Sequence, residues 1–310
     1  MRVPSLRAAA ALLAALSLLV GGAPAPVLAL APSDGGPITL LPVTINASVG
    51  DQYDPHVSGD LAAYTVGDSI RYYDFFTGND AQIPGVLDGS DQLSDVSNGK
   101  IVFARLDAAF NQSIMVFDTA TANTVEIDPQ VPSLRSNGAI GSNTVAFIDR
   151  GLTPTGELMA ADIGGATVRV TNDSRSDDHP QVAPLGELIV YESCLTAGNC
   201  DIRQAGWNGS SWVVTSLTNN ADPEANPDSD GVVVVYDAYR SGERDIYWQP
   251  AGGGTEQVLT LAGEQRNPSV SAGVVAFESV AVGDSAADLF VYQIATNRSF
   301  RITSTPLTTA

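Results

Sequence analysis

Residues 226–260 read NPDSDGVVVVYDAYRSGERDIYWQPAGGGTEQVLT and contain the whole pattern that decides the fold. A Pro-led stretch reaches the turn Asp230-Gly231, and two apolar-aromatic runs follow at 234–236 and 246–248. A Gly-rich segment at 252–254 then leads into a last apolar run at 257–259. β-Branched and aromatic residues favour strands, whereas Gly, Asn and Asp favour the tight turns that join antiparallel strands. This stretch therefore predicts four short antiparallel strands.

The same pattern recurs six times, about every 44 residues. The first apolar run of each copy ends at an aromatic residue 39–45 residues after the previous one, at Tyr64, Phe103, Phe147, Tyr191, Tyr236 and Phe277. The second run starts 43 or 44 residues after the previous one, at Ile70, Ile114, Leu158, Ile202, Ile246 and Leu289. Four-stranded units at this period are typical of propeller blades. We therefore predict an all-β fold, a six-bladed β-propeller of four-stranded antiparallel blades. An open solenoid of the same units is the alternative, but it needs polar capping units that the sequence does not show.

The repeat resembles the WD40-like repeat of TolB-type propellers. In the fifth copy the similarity lies in the turn Asn226-Pro227-Asp228-Ser229-Asp230-Gly231, in Asp245-Ile246-Tyr247 and in Leu259-Thr260. The fourth and sixth copies match it less fully, and the third departs most. The resemblance implies a propeller over nearly all of the mature chain. The α/β domain that precedes the propeller in TolB is not expected, because the first predicted strand lies close to the leader segment.

The first residues have the layout of a secretory signal peptide. Arg2 and Arg7 precede an unbroken apolar run at 8–20, and small residues follow up to Ala29. We expect cleavage after Ala29, a short linker at 30–37, a single propeller at 38–304 and a C-terminal tail at 305–310. The segment 38–44 is expected to add a strand to the last blade. The mature chain has no further apolar run of spanning length, so we predict a secreted or periplasmic protein.

The net charge, motifs and cysteines of the chain limit the classes of function that it can have. The chain has 15 Lys+Arg against 35 Asp+Glu, a formal net charge of −20. Such a charge repels phosphate backbones and anionic lipid, so we expect no nucleic-acid or membrane partner. No nucleotide-binding or hydrolase motif is present, and no cofactor is expected. Cys194 and Cys200 enclose five residues and should form a disulfide in an oxidising compartment, with a redox or metal pair as the alternative.

Candidate site residues follow from the place of each blade's first strand, which lines the central channel of a propeller. The segments around its Pro should rim one mouth of that channel. They supply a predicted ligand or partner rim: Asp51, Asp54, His56, Asp91, Asp128, Asp177, Asp178, His179, Glu224, Asn226, Glu264, Arg266 and Asn267. In the same ring of positions before the Pro, blades 2 and 3 have Leu93 and Val131. Local backbone hydrogen bonding is the alternative role for such side chains.

Oxygen ligands at this density suit Ca²⁺. Asp173, Asp177 and Asp178 are the metal candidates, although their segment lacks the Gly and closing Glu of an EF-hand.

The prediction is a secreted, monomeric, non-catalytic binding propeller that holds a protein or envelope component at an acidic mouth. A polysaccharide lyase or glycosidase using the rim carboxylates is one rival, and a purely structural extracellular module is the other. A tight group of carboxylates or His in one pocket, with raised pKa values, would favour the enzyme.

Overall fold

The six-bladed propeller is confirmed. The computed structural model describes residues 33–34, 43–46, 51–85, 89–128, 133–196, 198–240, 242–284 and 286–303. Within these residues the chain forms six separate antiparallel sheets of four consecutive strands, and a short parallel strand extends the last sheet. The predicted signal peptide and C-terminal tail lie outside the described residues.

The strands follow one another blade by blade. The parallel strand is β1 (Ser33–Asp34). Blades 1 and 2 consist of β2 (Gln52–Ser58), β3 (Leu61–Val66), β4 (Ser69–Asp74), β5 (Asn79–Gln82), β6 (Ser90–Ser97), β7 (Lys100–Leu106), β8 (Gln112–Asp118) and β9 (Asn123–Glu126). Blades 3 and 4 consist of β10 (Arg135–Gly141), β11 (Thr144–Asp149), β12 (Glu157–Asp162), β13 (Thr167–Arg169), β14 (Ser176–Val182), β15 (Leu188–Thr196), β16 (Asn199–Trp207) and β17 (Trp212–Ser216). Blades 5 and 6 consist of β18 (Glu224–Ser229), β19 (Val233–Arg240), β20 (Glu243–Pro250), β21 (Gln257–Leu259), β22 (Glu264–Ser271), β23 (Val274–Val280), β24 (Ala287–Gln293) and β25 (Arg298–Arg301).

The order of the strands gives the ring two distinct ends. The first strand of each blade is innermost, since it contacts the first strand of the next blade along most of the ring. We call the end where first strands begin the top face. Because neighbouring strands are antiparallel, the turns between second and third strands also lie there. The turns between first and second strands, and between third and fourth, lie at the opposite end, the bottom face.

A recurring threonine has the same role in blades 3, 4 and 6. The hydroxyl oxygens of Thr171, Thr218 and Thr303 each accept a hydrogen bond of 2.8 Å from a third-strand amide, at Leu158, Ile202 and Leu289. A backbone N–H without a partner is costly when it is buried. The threonine therefore satisfies a donor where the short fourth strand has ended.

Two glycines allow blades 3 and 4 to approach closely. Gly186 adopts a φ of +80°, and a Cβ atom there would lie 2.7 Å from the carbonyl oxygen of Gly141. A Cβ on Gly141 would lie 2.0 Å from the carbonyl oxygen of Ala183. Only glycine is compatible with this contact. The unusual first turn of the third copy thus belongs to a tight seam between blades.

Apolar side chains fill five of the junctions between successive blades. Separate buried clusters join blades 1 and 2, 2 and 3, 3 and 4, 4 and 5, and 5 and 6. Among the described residues, no such cluster joins blades 6 and 1. Val57 of β2 is 65% exposed, whereas the residues at the equivalent position of the other five first strands are at most 8% exposed. Among the described residues, the junction between the last and first blades is therefore the least packed part of the ring.

The strand that joins the last blade differs from the expected one. β1 pairs in parallel with β25 on the outer edge of blade 6, so the strand lies at Ser33–Asp34, within the stretch predicted as a linker. Of the expected segment 38–44, only Val43 and Thr44 are described, and neither is in a strand.

The predicted disulfide is present: Cys194 and Cys200 are directly opposite each other in the β15–β16 hairpin. Within the described part of the chain, no helix is long and apolar enough to cross a membrane.

Candidate functional site

Each first strand has a β-bulge at its centre, where the strand reaches the channel. In five blades the residue at the bulge has a left-handed φ of 44–56°, namely Asp54, Asn137, His179, Asn226 and Asn267. Asn and Asp tolerate this conformation better than most residues. Four of the five were predicted as rim residues from the Pro that follows them, but Asn137 was missed because Gly138 stands in place of that Pro.

Blades 2 and 3 depart from the predicted ring. Leu93 precedes the bulge of β6, but its side chain is only 3% exposed and packs in the core. Val131 lies outside the described residues. The bulge of β10 lies at Asn137 and Gly138, so the repeat position of blade 3 is there and not at the Pro that follows Val131.

The residue after each bulge occupies an equivalent position on the first, innermost strand of its blade. We call these six equivalent positions the inner belt: His56, Asp95, Ala139, Gln181, Asp228 and Ser269. The carboxylate of Asp95 accepts a 2.8 Å hydrogen bond from the amide of Ile140 in blade 3. That of Asp228 accepts one of 2.7 Å from the amide of Val270 in blade 6. The aspartates of the inner belt therefore connect blade 2 to blade 3 and blade 5 to blade 6.

His56 lies between two carboxylates of the inner edge. Its Nε2 atom is 3.3 Å from Asp54 and its Nδ1 atom is 3.7 Å from Asp95. Burial lowers the pKa of His56, but hydrogen bonding and charge from Asp54 and Asp95 more than offset this and raise it to about 9. The imidazole is therefore a cation at neutral pH, and it partly neutralises the carboxylates beside it.

Asp228 lies on the opposite side of the ring. Burial raises the pKa of Asp228 to about 6, although hydrogen bonds from Val270, Ser269 and Ser229 favour its charged form. The charge on Asp95 also raises it. Sequence analysis included His56 but missed Asp95 and Asp228. The signal was present, since Asp228 follows Pro227 as His56 follows Pro55.

Several predicted rim carboxylates are bound to other side chains. Asp177 is fully buried and accepts hydrogen bonds from Thr171 and Ser193. Glu224 is 1% exposed and is paired with Arg240 at 2.7 Å. Burial raises the pKa of both carboxyl groups. The buried positions of Asp177 and Glu224 do not reach the mouth, so these residues stabilise the blades.

Ion pairs occupy four more residues of the predicted rim. Each pair is between a predicted residue and a side chain of its own blade or a neighbouring blade: Asp91 with Arg105 at 2.8 Å, Asp128 with Arg135 at 3.3 Å, Asp178 with Arg150 at 2.8 Å and Arg266 with Glu278 at 2.9 Å. Asp178 also accepts a hydrogen bond from Asn137. A ligand would have to compete with these partners.

Two carboxylates that sequence analysis missed bind the bulges of the next blade. Glu192 accepts a hydrogen bond of 2.8 Å from the amide of Asn226, and it lies 3.1 Å from Nδ1 of His179. The hydrogen bond to Glu192 raises the pKa of His179. Asp237 binds the amide of Asn267 at 2.9 Å and the side chain of Asn226 at 2.8 Å. Both residues lie on second strands, which gave no sequence signal for a contact with another blade.

The accessible part of the rim is smaller than predicted. Asp51, Asp54, Glu264 and Asn267 remain exposed at the top face. Beside them, a cleft of about 440 Å³ opens between blades 1 and 2, lined by Tyr53, Asp54, Thr65, Gly67, Asp68, Ser90, Asp91 and Gln92. The cleft has three carboxylates, of which Asp91 is paired with Arg105.

The proposed metal ligands have separate partners. Asp173 binds Arg203 at 2.9 Å, Asp177 binds two hydroxyls, and Asp178 binds Arg150. Within the described residues, the group of three ligand-type side chains that converge is Glu192 with Cys194 and Cys200. The two sulfur atoms are joined to each other, so neither is a thiolate ligand. The geometry gives no support to Asp173, Asp177 and Asp178 as a common site.

Comparisons with known proteins support the architecture. No protein-family model and no curated protein matches the chain. Solved structures do match. The putative TolB from Agrobacterium tumefaciens has a TM-score of 0.54 and 15% identity, covering 73% of this chain and 87% of that one. The β-propeller domain of the Trilobed protease from Pyrococcus furiosus, described as having an open velcro topology, has a TM-score of 0.63 and 13% identity, with 82% and 81% covered.

Peptidases are also among the similar structures. The acylaminoacyl peptidase from Pyrococcus horikoshii has a TM-score of 0.59 and 15% identity, covering 82% of this chain and 46% of that one. This chain therefore spans less than half of that enzyme. Identities this low reveal the fold alone. The six consecutive four-stranded blades and the match to TolB structures lead to one conclusion: this chain has the six-bladed propeller fold of TolB-like proteins.

Proposed function

We propose that the protein is an exported, non-catalytic binding propeller that holds a protein or envelope component at the acidic top mouth of its channel. The observation that carries this proposal is the group of charged residues on the innermost strands: Asp54, His56 and Asp95 lie together, and Asp228 occupies the equivalent position in blade 5. The disulfide supports export, because disulfides persist mainly in oxidising compartments.

Charge at the top face supports a cationic partner. Asp51 and Glu264 are exposed, and among the described residues no Lys or Arg lies within ion-pair distance of either. Exposed carboxylates around a concave, low-dielectric opening concentrate the field and attract positive groups. A lysine- or arginine-rich segment is therefore the class of ligand that fits the mouth.

The first experiment measures binding of a labelled Lys/Ser decapeptide by fluorescence anisotropy. The variant Asp51→Asn/Asp54→Asn/Glu264→Gln removes exposed top-face charge, and Asn tolerates the left-handed φ at position 54. We expect the affinity to fall at least about tenfold, which corresponds to about 1.4 kcal/mol. Binding should also weaken between about 0.05 M and about 0.5 M salt.

The matched control removes the same types of charge from the bottom face. Asp60→Asn/Asp162→Asn/Glu187→Gln changes three exposed residues in the bottom-face turns of blades 1, 3 and 4. An equal loss of affinity in both triple variants would mean that net charge, and not the mouth, binds the peptide. Absence of peptide binding to the wild type would contradict the proposal. Asp177 and Asp178 are left unchanged in both variants, because Asp177 is buried and Asp178 is paired with Arg150.

A glycosidase or lyase is the second candidate, and one observation favours it. His56 and Asp228 both have raised pKa values and both lie on the inner belt with Asp95. A carboxyl group with a pKa of about 6 suits a general acid. The test is release of reducing ends or unsaturated products from a panel of acidic and neutral polysaccharides. Turnover that disappears in Asp228→Asn would replace the binding function with an enzymatic one.

A further inference from the structure

We propose that the top face is a docking surface for a basic protein that contacts it through apolar side chains around the mouth. This inference rests on the proposed function and names the chemistry of the partner. It adds a ring of apolar contacts outside the acidic mouth, so it can fail while the mouth still binds cationic peptides.

The first observation is an exposed apolar side chain on the top face of every blade. These side chains are Tyr53, Phe110, Leu152, Leu195, Tyr239 and Val282, and they are 45–77% exposed. Five of them lie in or next to the turn between the second and third strands. In blade 1 that turn has no large apolar residue, and Tyr53 of the first strand provides the exposed apolar side chain instead. Its hydroxyl donates a hydrogen bond of 2.9 Å to the carbonyl oxygen of Gly67 in that turn.

The bottom face lacks this regularity. Its exposed large apolar residues are Val57, Phe75 and Phe76 in blade 1, Leu185 and Trp207 in blade 4, Val232 in blade 5 and Val274 in blade 6. Among the described residues, the bottom-face turns of blades 2 and 3 have none, and the exposed Val125, Val168 and Val213 lie on the outer fourth strands of blades 2, 3 and 4. Scattered single exposed apolar residues are ordinary, whereas a larger set on one surface marks an interaction site. At least one such residue in every blade at the same end of the ring is such a set.

Phe110 shows that local structure holds such a side chain outward. Its φ is +64°, a conformation that is unfavourable for a bulky residue. The loop is fastened by Asp107, whose side chain accepts hydrogen bonds from the amides of Ala109 and Asn111. The backbone carbonyl oxygen of Asp107 also accepts a hydrogen bond from the amide of Phe110. A strained residue that presents a 75% exposed ring is better explained by a contact than by folding.

The second observation is charge, which decides the kind of partner. With Arg298 set aside, every arginine among the described residues is ion-paired with a carboxylate. The top face keeps exposed carboxylates with no arginine or lysine in ion-pair distance among those residues: Asp51, Asp68, Asp107, Glu243 and Glu264. An acidic surface with an apolar ring complements a basic surface with apolar side chains.

The test uses a labelled amphipathic peptide of about 18 Leu and Lys residues, which forms about five helical turns. Phe110→Ser/Val282→Ser removes two members of the apolar ring. Leu185→Ser/Val232→Ser is the matched control, since both of these residues are equally exposed on the bottom face. We expect about tenfold weaker binding by the top-face variant and less than about a twofold change in the control. Circular dichroism and melting temperature verify that both variants fold.

Three outcomes would overturn the inference. Equal loss of affinity in the two double variants would mean that the apolar ring has no special role. Equal binding of the Leu/Lys peptide and the Lys/Ser peptide would leave the acidic mouth intact as the binding site but remove the apolar contacts. Sedimentation of the protein with vesicles of zwitterionic phosphatidylcholine, abolished in Phe110→Ser/Val282→Ser, would make the ring a lipid-facing surface instead.

Discussion

Aspartate residues after the bulges connect one blade to the next at the level of single residues. Asp95 and Asp228 occupy equivalent positions, and each binds a backbone amide of the following blade. Their carboxylates therefore have a structural partner as well as a place on the channel. Such dual use is the reason why an acidic side chain near a channel does not by itself identify a ligand site.

Asp228 provides a prediction at this scale. Its folded-state pKa of about 6 lies above the ordinary 3.8, so its neutral form stabilises the fold. That contribution is fully present below about pH 4 and is lost as the pH rises through 6. Asp228→Asn keeps an acceptor for the amide of Val270 and cannot ionise. We expect the variant to match the wild type at about pH 4 and to be more stable at about pH 8, by up to about 3 kcal/mol.

Thermal melts of both proteins across this pH range measure the difference. Asp60→Asn, in an exposed turn of the bottom face, serves as the control for general effects of charge. A variant that is less stable than the wild type at about pH 8 would mean that the native state prefers the ionised carboxylate.

The repeating element is the blade, and its recurrent threonine shows how one side chain completes it. Thr218 binds the amide of Ile202 in a buried setting, whereas Thr303 binds the amide of Leu289 at an exposed edge. The hydrogen bond has the same geometry in both blades, but only the exposed amide of Leu289 can form a hydrogen bond with water instead. The same motif residue should therefore have different energetic importance in different blades.

Thr218→Val and Thr303→Val test this difference. The first leaves a buried N–H without an acceptor, which costs about 1–3 kcal/mol of unfolding free energy. The second should cost less than about 0.5 kcal/mol. Urea denaturation of the two variants gives both values. Similar losses in the two variants would contradict the role of burial.

The described residues of the ring are tightly packed at five junctions and loosely packed at the sixth. Leu158 and Leu289 begin the second apolar run of their blades, at equivalent positions. Leu158 is fully buried, as are its counterparts in the middle blades, but Leu289 is 49% exposed. In the other blades, the next blade covers the side chain at this position. Among the described residues, no neighbouring blade covers Leu289 in the same way.

Matched substitutions report whether this junction is open in solution. Leu158→Ala should destabilise the protein by about 2–5 kcal/mol, because it leaves a cavity. Leu289→Ala should cost less than about 1 kcal/mol, because the side chain loses little burial. Chemical denaturation measures both. A cost for Leu289→Ala as large as that for Leu158→Ala would mean that blades 6 and 1 pack together like the others.

The number of blades, their four strands and the disulfide could be predicted from the amino-acid sequence alone. These depend on local patterns: apolar runs about 44 residues apart, glycine turns, and two cysteines that one hairpin brings opposite each other. Such features are recorded in each repeat and need no knowledge of distant contacts.

Which carboxylates have a partner and which remain exposed depends on contacts that appear only in the folded protein. Asp177 and Asp178 are adjacent in the sequence, yet one is buried against hydroxyls and the other binds arginine in the preceding blade. The contacts that distinguish them join residues in different strands, and often in different blades, so their pairing depends on how the blades pack. The contacts of the inner belt and the loosely packed junction between blades 6 and 1 could not be predicted for the same reason. Both depend on how one complete blade packs against another.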